Sequence, residues 1–97
     1  MIKRAGDGID IGDGVMIWWS TEGGDPEGER LGIVEQHLDP DGKPCSGYVG
    51  FEGHEQEMRP HPRWHVVSLE PLTLEPSLLC STCGHHGFIR NGRWVRA

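Results

Sequence analysis

The chain has 97 residues, of which 35% are hydrophobic, 15 are glycines and 7 are prolines. A chain of this length forms one small domain with a modest core, and its many turn-forming residues indicate short strands. The formal net charge is −6 at pH 7, which disfavours generic binding of DNA by the whole surface.

The charge is unevenly distributed along the chain. Residues 7–75 hold all 15 acidic residues against four basic ones, a local charge of −11, whereas residues 76–97 hold three arginines and no acid. Neither a secretory signal nor an apolar stretch long enough to span a membrane is apparent in the sequence. The sequence therefore predicts a cytoplasmic protein, in the host cytoplasm if a phage encodes it.

The predicted elements are short strands separated by Gly- and Pro-rich turns. In chain order they are an entry loop over residues 1–13 with a short strand around Ile9–Ile11, then strands at Val15–Trp19, Leu31–Leu38, Ser46–Gly53 and Trp64–Leu72, and a last extended piece before the cysteines. No segment shows sustained helical periodicity. This spacing predicts an all-β fold, a small antiparallel SH3-like barrel or sandwich.

The end of the chain, "GFIRNGRWVR", predicts a β-hairpin. Asn-Gly between strand-forming residues is the preferred two-residue type I′ turn, because both central positions require positive φ. Arg90 and Arg93 are then expected to face each other across the turn. The predicted organisation is an acidic small β domain over residues 1–75, with a zinc knuckle and hairpin over residues 76–97 packed on it.

A cysteine pair, Cys80 and Cys83, precedes the hairpin and is followed by Gly84. This spacing is typical of the knuckle in rubredoxin-like and zinc-ribbon sites, where a tight turn aims both sulfurs at one ion. Glycine suits the left-handed position that such a turn requires. A redox dithiol and unliganded structural thiols are the alternatives. The redox alternative expects a helix after the first thiol, where this chain has a hairpin.

Two cysteines do not complete a tetrahedral site, so further ligands are required. Cys45 is a candidate because a thiolate binds zinc strongly, although a small buried hydrophobe is its alternative role. His85 and His86 point to opposite sides of an extended chain, so one of them is expected to be a ligand and the other not. The remaining candidates are His37, His54, His61 and His65.

The run "PLTLEPSLLCSTCGHHGFIRNGRWV", Pro71–Val95, resembles a family of small proteins common in phages of actinobacteria. Their function is unassigned, and some carry the label ammonia monooxygenase, which nothing in this chain supports. The family pattern is Pro-Thr-x-x-Pro-Ser, then cysteine and histidine ligand candidates, then Phe-Ile-Arg-Asp/Asn-Gly-Arg. The resemblance implies that the histidine before Gly-Phe-Ile is the ligand. The predicted Zn²⁺ ligands are therefore Cys80, Cys83, His86 and Cys45.

The favoured function is a binding or regulatory module with structural zinc, whose partner is a host or phage protein. Its expected contact residues lie in the hairpin: Arg90, Arg93, Arg96 and Trp94. The same residues suit nucleic acid, as in a zinc-ribbon-like protein, but three arginines are few for phosphate binding. A structural phage protein with no site beyond its interface is a further possibility.

The competing function is a metal-dependent hydrolase with an open zinc position. Three protein ligands would leave room for a water, with a base among Glu52, Glu55, Glu57 and Glu70. The His-x-Glu and Pro-Cys-x-x-Cys pattern of zinc deaminases is absent, because Leu79 precedes Cys80. The sequence therefore favours a protein that is not an enzyme.

Overall fold

The structure, a computed structural model, describes residues 4–53 and 62–97. Its strands are β1 (Arg4–Gly12), β2 (Val15–Thr21), β3 (Arg30–Leu38), β4 (Pro44–Phe51), β5 (Arg63–Leu69), β6 (Leu72–Glu75), β7 (Leu78–Leu79), β8 (His86–Arg90) and β9 (Arg93–Arg96). A 3-10 turn at Glu22–Gly24 follows β2, and these two ranges contain no α-helix. The predicted all-β class is confirmed.

The strands form two sheets. The larger has the order β1-β2-β3-β4-β5-β6 and curls into a half-barrel, and the smaller has the order β7-β8-β9. Neighbouring strands are antiparallel except β4 and β5, which pair in parallel. Within the described ranges no helix has the length and hydrophobicity that crossing a membrane requires.

The predicted C-terminal hairpin is confirmed. Asn91 and Gly92 have φ values of 51° and 71°, as a type I′ turn requires. Arg90 and Arg93 are directly paired at the turn. Asparagine and glycine tolerate positive φ better than other residues, which is why this local signal was readable from the sequence alone.

One hydrophobic core lies between the two sheets. The larger sheet contributes fully buried residues such as Ile17, Ile33 and Phe51, and the smaller sheet contributes Leu78, Ile89 and Trp94 to the same cluster. Arg96 also reaches the larger sheet, since its Nε lies 2.5 Å and its Nη2 3.0 Å from the two carboxylate oxygens of Asp13.

The first strand is longer than the sequence predicted. β1 occupies most of the expected entry loop because it pairs with β2 on both sides of an irregularity between Ala5 and Ile9. Gly6 lies within that irregularity at a φ of 71°. Glycine and aspartate in this stretch therefore mark a bulged strand, a possibility that turn signals alone do not distinguish from a loop.

Gly87 holds the smaller sheet against the core, and its replacement by alanine is expected to destabilise the fold by about 1–3 kcal/mol. A Cβ there would lie 2.5 Å from the Trp94 ring and 2.6 Å from the Val95 carbonyl oxygen. Gly47 is the matched control, because a Cβ on it meets nothing within 4 Å. Chemical denaturation of both variants measures the difference. Equal stability of the two would contradict this packing.

Candidate metal centre and the adjoining serine–histidine pair

Four metal-ligating side chains meet where the two sheets join. The ligand atoms of His37, Cys45, Cys80 and Cys83 all lie within 4.8 Å of one another. His37 is buried and the three cysteines are half-buried free thiols. Three sulfurs and one imidazole nitrogen form a donor set typical of a structural zinc site.

The strand register and the knuckle turn bring these side chains together. His37 on β3 and Cys45 on β4 are direct partners across the antiparallel ladder, so their side chains lie on the same face. The knuckle is closed by hydrogen bonds from the Gly84 N–H to the Cys80 carbonyl and from the Cys80 N–H to the His85 carbonyl, both 2.8 Å long. Gly84 has the predicted left-handed φ, 81°.

The spacing fits a tetrahedral ion. With Zn–S bonds of about 2.3 Å and Zn–N bonds of about 2.0 Å, ligand atoms lie about 3.5–3.8 Å apart around zinc. The Nε2 atom of His37 is 3.2 Å from the Cys83 sulfur, and the widest separation in the group is within 4.8 Å. Changes of about 1 Å at side-chain atoms would complete the tetrahedron.

Hydrogen bonds tune the protonation of two of these ligands. Burial alone would raise the pKa of the Cys80 thiol, but the backbone N–H groups of Cys83 and Thr82 stabilise the thiolate and lower the pKa to about 7. Burial alone would lower the pKa of His37, but hydrogen bonds with Cys83 and Glu35 raise it to about 9. In the metal-free site an imidazolium thus balances thiolate charge, and a cation binding there replaces its proton.

Glu35 fixes the orientation of His37. Its Oε1 lies 2.7 Å from His37 Nδ1, and both side chains are buried. When a metal ion replaces the proton on Nε2, the hydrogen bond with Glu35 keeps the other proton on Nδ1, and the Nε2 lone pair is directed toward the three sulfurs. A carboxylate that holds a metal-binding histidine in this way also raises the basicity of the ring.

Replacement of Glu35 by glutamine is expected to weaken metal binding about 10–100-fold while leaving the ligand set intact. The amide keeps the size of the side chain but loses the charge that makes the imidazole a stronger donor. Competition with a colorimetric chelator measures the affinity, and Glu52→Gln is the control because Glu52 pairs with exposed His65 instead. Equal affinities of the two variants would contradict this role.

A second group, Glu35, His37 and His85, also has ligand atoms within 4.8 Å. The His37 and His85 rings are stacked, with centroids 4.1 Å apart and planes 13° from parallel. Nitrogen lone pairs lie in the ring plane, so parallel stacked rings do not direct two nitrogens at one ion. Trp94 stacks on the other side of His85 at 4.7 Å, and His85 therefore belongs to a ring column that packs against the metal centre.

The structure brings Cys45, Cys80 and Cys83 together with His37, and it places His86 elsewhere. The sequence analysis counted His37 among the candidates but did not choose it, because a lone histidine is by default an exposed or packed residue and the family resemblance favoured His86. His65 lies outside the cluster, with its Nδ1 3.1 Å from Glu52. The other two histidine candidates, His54 and His61, lie outside the described residues.

His86 instead pairs with a serine on the exposed face of the smaller sheet. Its Nε2 lies 2.8 Å from the hydroxyl oxygen of Ser77, a distance typical of a nucleophile and its base. Ser77 immediately precedes β7, and Leu79 on that strand pairs with His86 on β8. No carboxylate of the described residues forms a hydrogen bond with His86 Nδ1. In this part of the chain, Ser77 and His86 therefore form a dyad.

The position of Ser77 is fixed through its backbone. The indole Nε1 of Trp64 donates a hydrogen bond to the Ser77 carbonyl oxygen at 3.3 Å. On the partner strand, His86 follows directly after the knuckle, and its own carbonyl accepts a hydrogen bond from the Ala97 N–H. A contact from β5 of the larger sheet therefore holds Ser77, and a contact from the end of the hairpin holds His86.

The hairpin residues expected to contact a partner have different surroundings. Trp94 is 8% exposed and stacks on His85, so its ring faces the core. Arg96 is exposed but bonded to Asp13. Arg90 is exposed, with its guanidinium carbon 4.1 Å from the centroid of the Phe88 ring, and Arg93 lies beside Gly12. That these residues contact a partner stays a prediction.

The fold and the site together define a small all-β protein with a Cys3His cluster suited to a metal ion and a serine–histidine pair beside it. Residues 44–97, more than half of the chain, match the family described as bacterial ubiquitination-like system serine protease (BubE). The chain belongs to this BubE family. Comparisons with curated proteins and with solved structures found no match.

The matched range contains both members of the dyad and all three cysteines, but it begins after His37 and Glu35. Ser77 was missed because one serine nine residues before a histidine is not a recognisable pattern. Only the pairing of β7 with β8 brings the two side chains together. Sequence reasoning had also assigned His86 to the metal, which left no base to consider.

Proposed function

We propose that this protein is a serine hydrolase of the peptidase type, with Ser77 as nucleophile and His86 as general base, on a sheet held in place by structural zinc. The observation that carries the proposal is the 2.8 Å distance between Ser77 Oγ and His86 Nε2. The description of the family as a serine protease supports it.

The chemistry follows from the orientation of the pair. The Ser77 hydroxyl donates its proton to His86 Nε2 as its oxygen attacks the carbonyl carbon of an amide or ester bond. The imidazolium then gives that proton to the leaving amine or alcohol, and an acyl group remains on Ser77. His86 then takes a proton from a water molecule as the water oxygen attacks the acyl carbon, and it returns that proton to Ser77 Oγ as the ester bond breaks, which releases the acid and restores the pair.

The proposed metal has a structural role rather than a catalytic one. One imidazole and three thiolates fill the four positions of a tetrahedral zinc ion, so none remains for a reactive water. Cys80 directly follows β7 and the knuckle ends one residue before His86. Zinc would therefore fix the distance between the strands that carry the dyad. This ligand set disfavours the open-site metallohydrolase as the alternative.

Labelling with a fluorophosphonate tests the proposal. Such a reagent forms a covalent phosphonate ester with a serine that a neighbouring base activates, and fluoride leaves. The expected result is one adduct, located on Ser77 by peptide mass spectrometry. The His86→Ala variant is expected to lose the adduct, while the Ser81→Ala variant keeps it, since Ser81 is an exposed knuckle serine outside the pair. Labelling that ignores His86, or that occurs on another serine, would overturn the assignment.

A zinc-stapled binding module is the second candidate. It is favoured by exposed apolar side chains on the outer face of the smaller sheet, where Leu79 is 65% and Val95 38% exposed, beside the guanidinium of Arg90. Such a face suits a protein partner, with the same structural zinc. The Ser77→Ala variant distinguishes the two candidates, because a pure binding module would bind its partner as tightly with alanine at this position as with serine. Phage origin and a host or phage partner stay predictions.

A further inference from the structure

The outer face of the smaller sheet carries the Ser77–His86 pair at one end. Side chains alternate along a strand, and direct partners on neighbouring strands share a face. On β8 the outward side chains are therefore His86, Phe88 and Arg90, while the two residues between them are buried. Their partners on the neighbouring strands, which lie on the same face, are Leu79, Val95 and Arg93.

Apolar side chains form the part of the outer face next to the dyad. Leu79 is 65% and Val95 38% exposed, and Phe88 is half-buried. The rings of Phe88 and His86 have centroids 6.4 Å apart, so the apolar part begins beside the proposed base. Exposed apolar side chains that are grouped on one face mark a surface that binds another chain.

Two arginines form the far end of the outer face. Arg90 and Arg93 are direct partners at the turn, and both are exposed. The guanidinium carbon of Arg90 lies 4.1 Å from the centroid of the Phe88 ring, so positive charge borders the apolar part. In the described part of the chain, no carboxylate forms an ion pair with either arginine. Their charges are therefore open to an external anion.

The spacing along β8 relates these charges to the bond that the dyad would cleave. Arg90 follows His86 by four residues on the strand, a distance of about 13 Å at about 3.3 Å per residue. The guanidinium turns back toward Phe88, which is only two residues from His86. The positive charge therefore lies about 7–13 Å from the dyad, and an extended peptide covers that distance in about two to four residues.

The uneven charge of the chain favours an acidic ligand at this face. Residues 76–97 hold three arginines and no acid, whereas residues 7–75 hold 15 acids against four basic residues. An acidic peptide is attracted to the smaller sheet and repelled by the rest of the molecule, and a basic peptide experiences the reverse. Nucleic acid is a poorer match, because it carries a charge at every residue and would extend over the acidic body.

We infer that the outer face is a docking surface for an extended substrate peptide with an apolar side chain near the scissile bond and acidic side chains two to four residues from it. The side chains that contact the apolar residue are Leu79, Phe88 and Val95, and those that bind the carboxylates are Arg90 and Arg93. The role of this peptide as a substrate rests on the proposed hydrolase function, but the affinity for an acidic peptide does not.

Three dansyl-labelled, amidated peptides of one length test the charge preference: Ala-Leu-Ala followed by three glutamates, three glutamines or three lysines. Fluorescence anisotropy is measured with the zinc-loaded Ser77→Ala protein, which lacks the proposed nucleophile. The glutamate peptide is expected to bind about five- to tenfold more tightly than the glutamine peptide, since exposed ion pairs are individually weak. The lysine peptide is expected to bind most weakly, and added salt is expected to reduce the preference.

The same titrations contain the results that would contradict the inference. Equal binding of all three peptides, or tightest binding of the lysine peptide, would overturn it. Tighter binding of a dansyl-labelled hexathymidylate than of the glutamate peptide would overturn it as well, because the face would then be a nucleic-acid site.

Substitutions in the same background locate the binding. Arg90→Gln/Arg93→Gln is expected to bring the affinities of the glutamate and glutamine peptides within about twofold of each other. The control Arg30→Gln/Lys43→Gln removes the same charge from the larger sheet, before or within β3 and β4, and is expected to keep the preference. Val95→Ser is expected to weaken all three peptides about threefold, because it removes apolar contact and no charge. A glutamate preference that survives the loss of Arg90 and Arg93 would overturn the location.

Hydrolysis by the unaltered protein separates this inference from the proposed function. The glutamate peptide is expected to be cleaved with a higher kcat/KM than the glutamine peptide, because docking holds its chain at Ser77. A glutamate preference in binding, together with a Ser77 that does not react with the fluorophosphonate, would overturn the hydrolase and keep the acidic-peptide site. Labelling of Ser77, together with equal binding and equal kcat/KM for the two peptides, would keep the hydrolase and overturn the docking surface.

Discussion

Replacement of Cys83 by serine is expected to remove the metal ion and to unfold the protein. A structural zinc ion contributes about 10–16 kcal/mol of apparent folding free energy in small domains, whereas whole domains are stable by only about 5–15 kcal/mol. The hydroxyl of serine is a much poorer zinc ligand than a thiolate. Without Cys83, the contact between the knuckle and His37 on β3 is lost as well.

Native and denaturing mass spectrometry measure this directly, as one zinc ion for the unaltered chain and none for Cys83→Ser, and thermal denaturation records the loss of folding. Ser81→Ala is the matched control, since Ser81 lies in the same knuckle and is exposed. A Cys83→Ser protein that melts at the temperature of the control would show that the thiols are not held by a metal.

Local signals predicted the parts of this molecule that local chemistry determines. The Asn91-Gly92 turn and the left-handed Gly84 both depend on which residues tolerate positive φ, and both appear in the structure as the sequence indicated. The all-β class followed in the same way from strand-forming runs between turn residues. In these cases the decisive interactions lie within a few residues along the chain.

The residues that the sequence did not assign depend on contacts between distant strands. His37 reaches the cysteines only because β3 and β4 pair in a register that puts it opposite Cys45. The stacking of His85 between His37 and Trp94 likewise depends on how the smaller sheet packs against the larger. Periodicity and spacing carry no information about such a register, so they did not distinguish His37 from the other three histidines outside the C-terminal segment.

The alternation of side chains along an extended chain explains why the two adjacent histidines have different partners. His85 turns inward to the ring column, and His86 turns outward to Ser77. The metal centre and the dyad are therefore on opposite sides of the same short segment. A change that loosens the knuckle is expected to move His86 relative to Ser77, which couples the structural site to the reactive pair without any direct contact between them.

Replacement of Ser77 by alanine is expected to lower the rate of hydrolysis on the order of 10⁴-fold or more, since removal of a serine nucleophile leaves only the catalysis that binding provides. p-Nitrophenyl acetate is a suitable first substrate because its leaving group needs little assistance from an acid. Ser77 is only half-buried and outside the core cluster, so zinc content and melting temperature are expected to stay unchanged.

The double variant Ser77→Ala/His86→Ala gives the sharper result. Residues that act as one unit have strongly non-additive effects, so the double variant is expected to be no slower than the slower of the two single variants. Independent contributions would instead multiply the two losses. Multiplicative losses, or a Ser77→Ala protein as active as the Ser81→Ala control, would show that the 2.8 Å contact between Ser77 and His86 is a structural hydrogen bond rather than a catalytic pair.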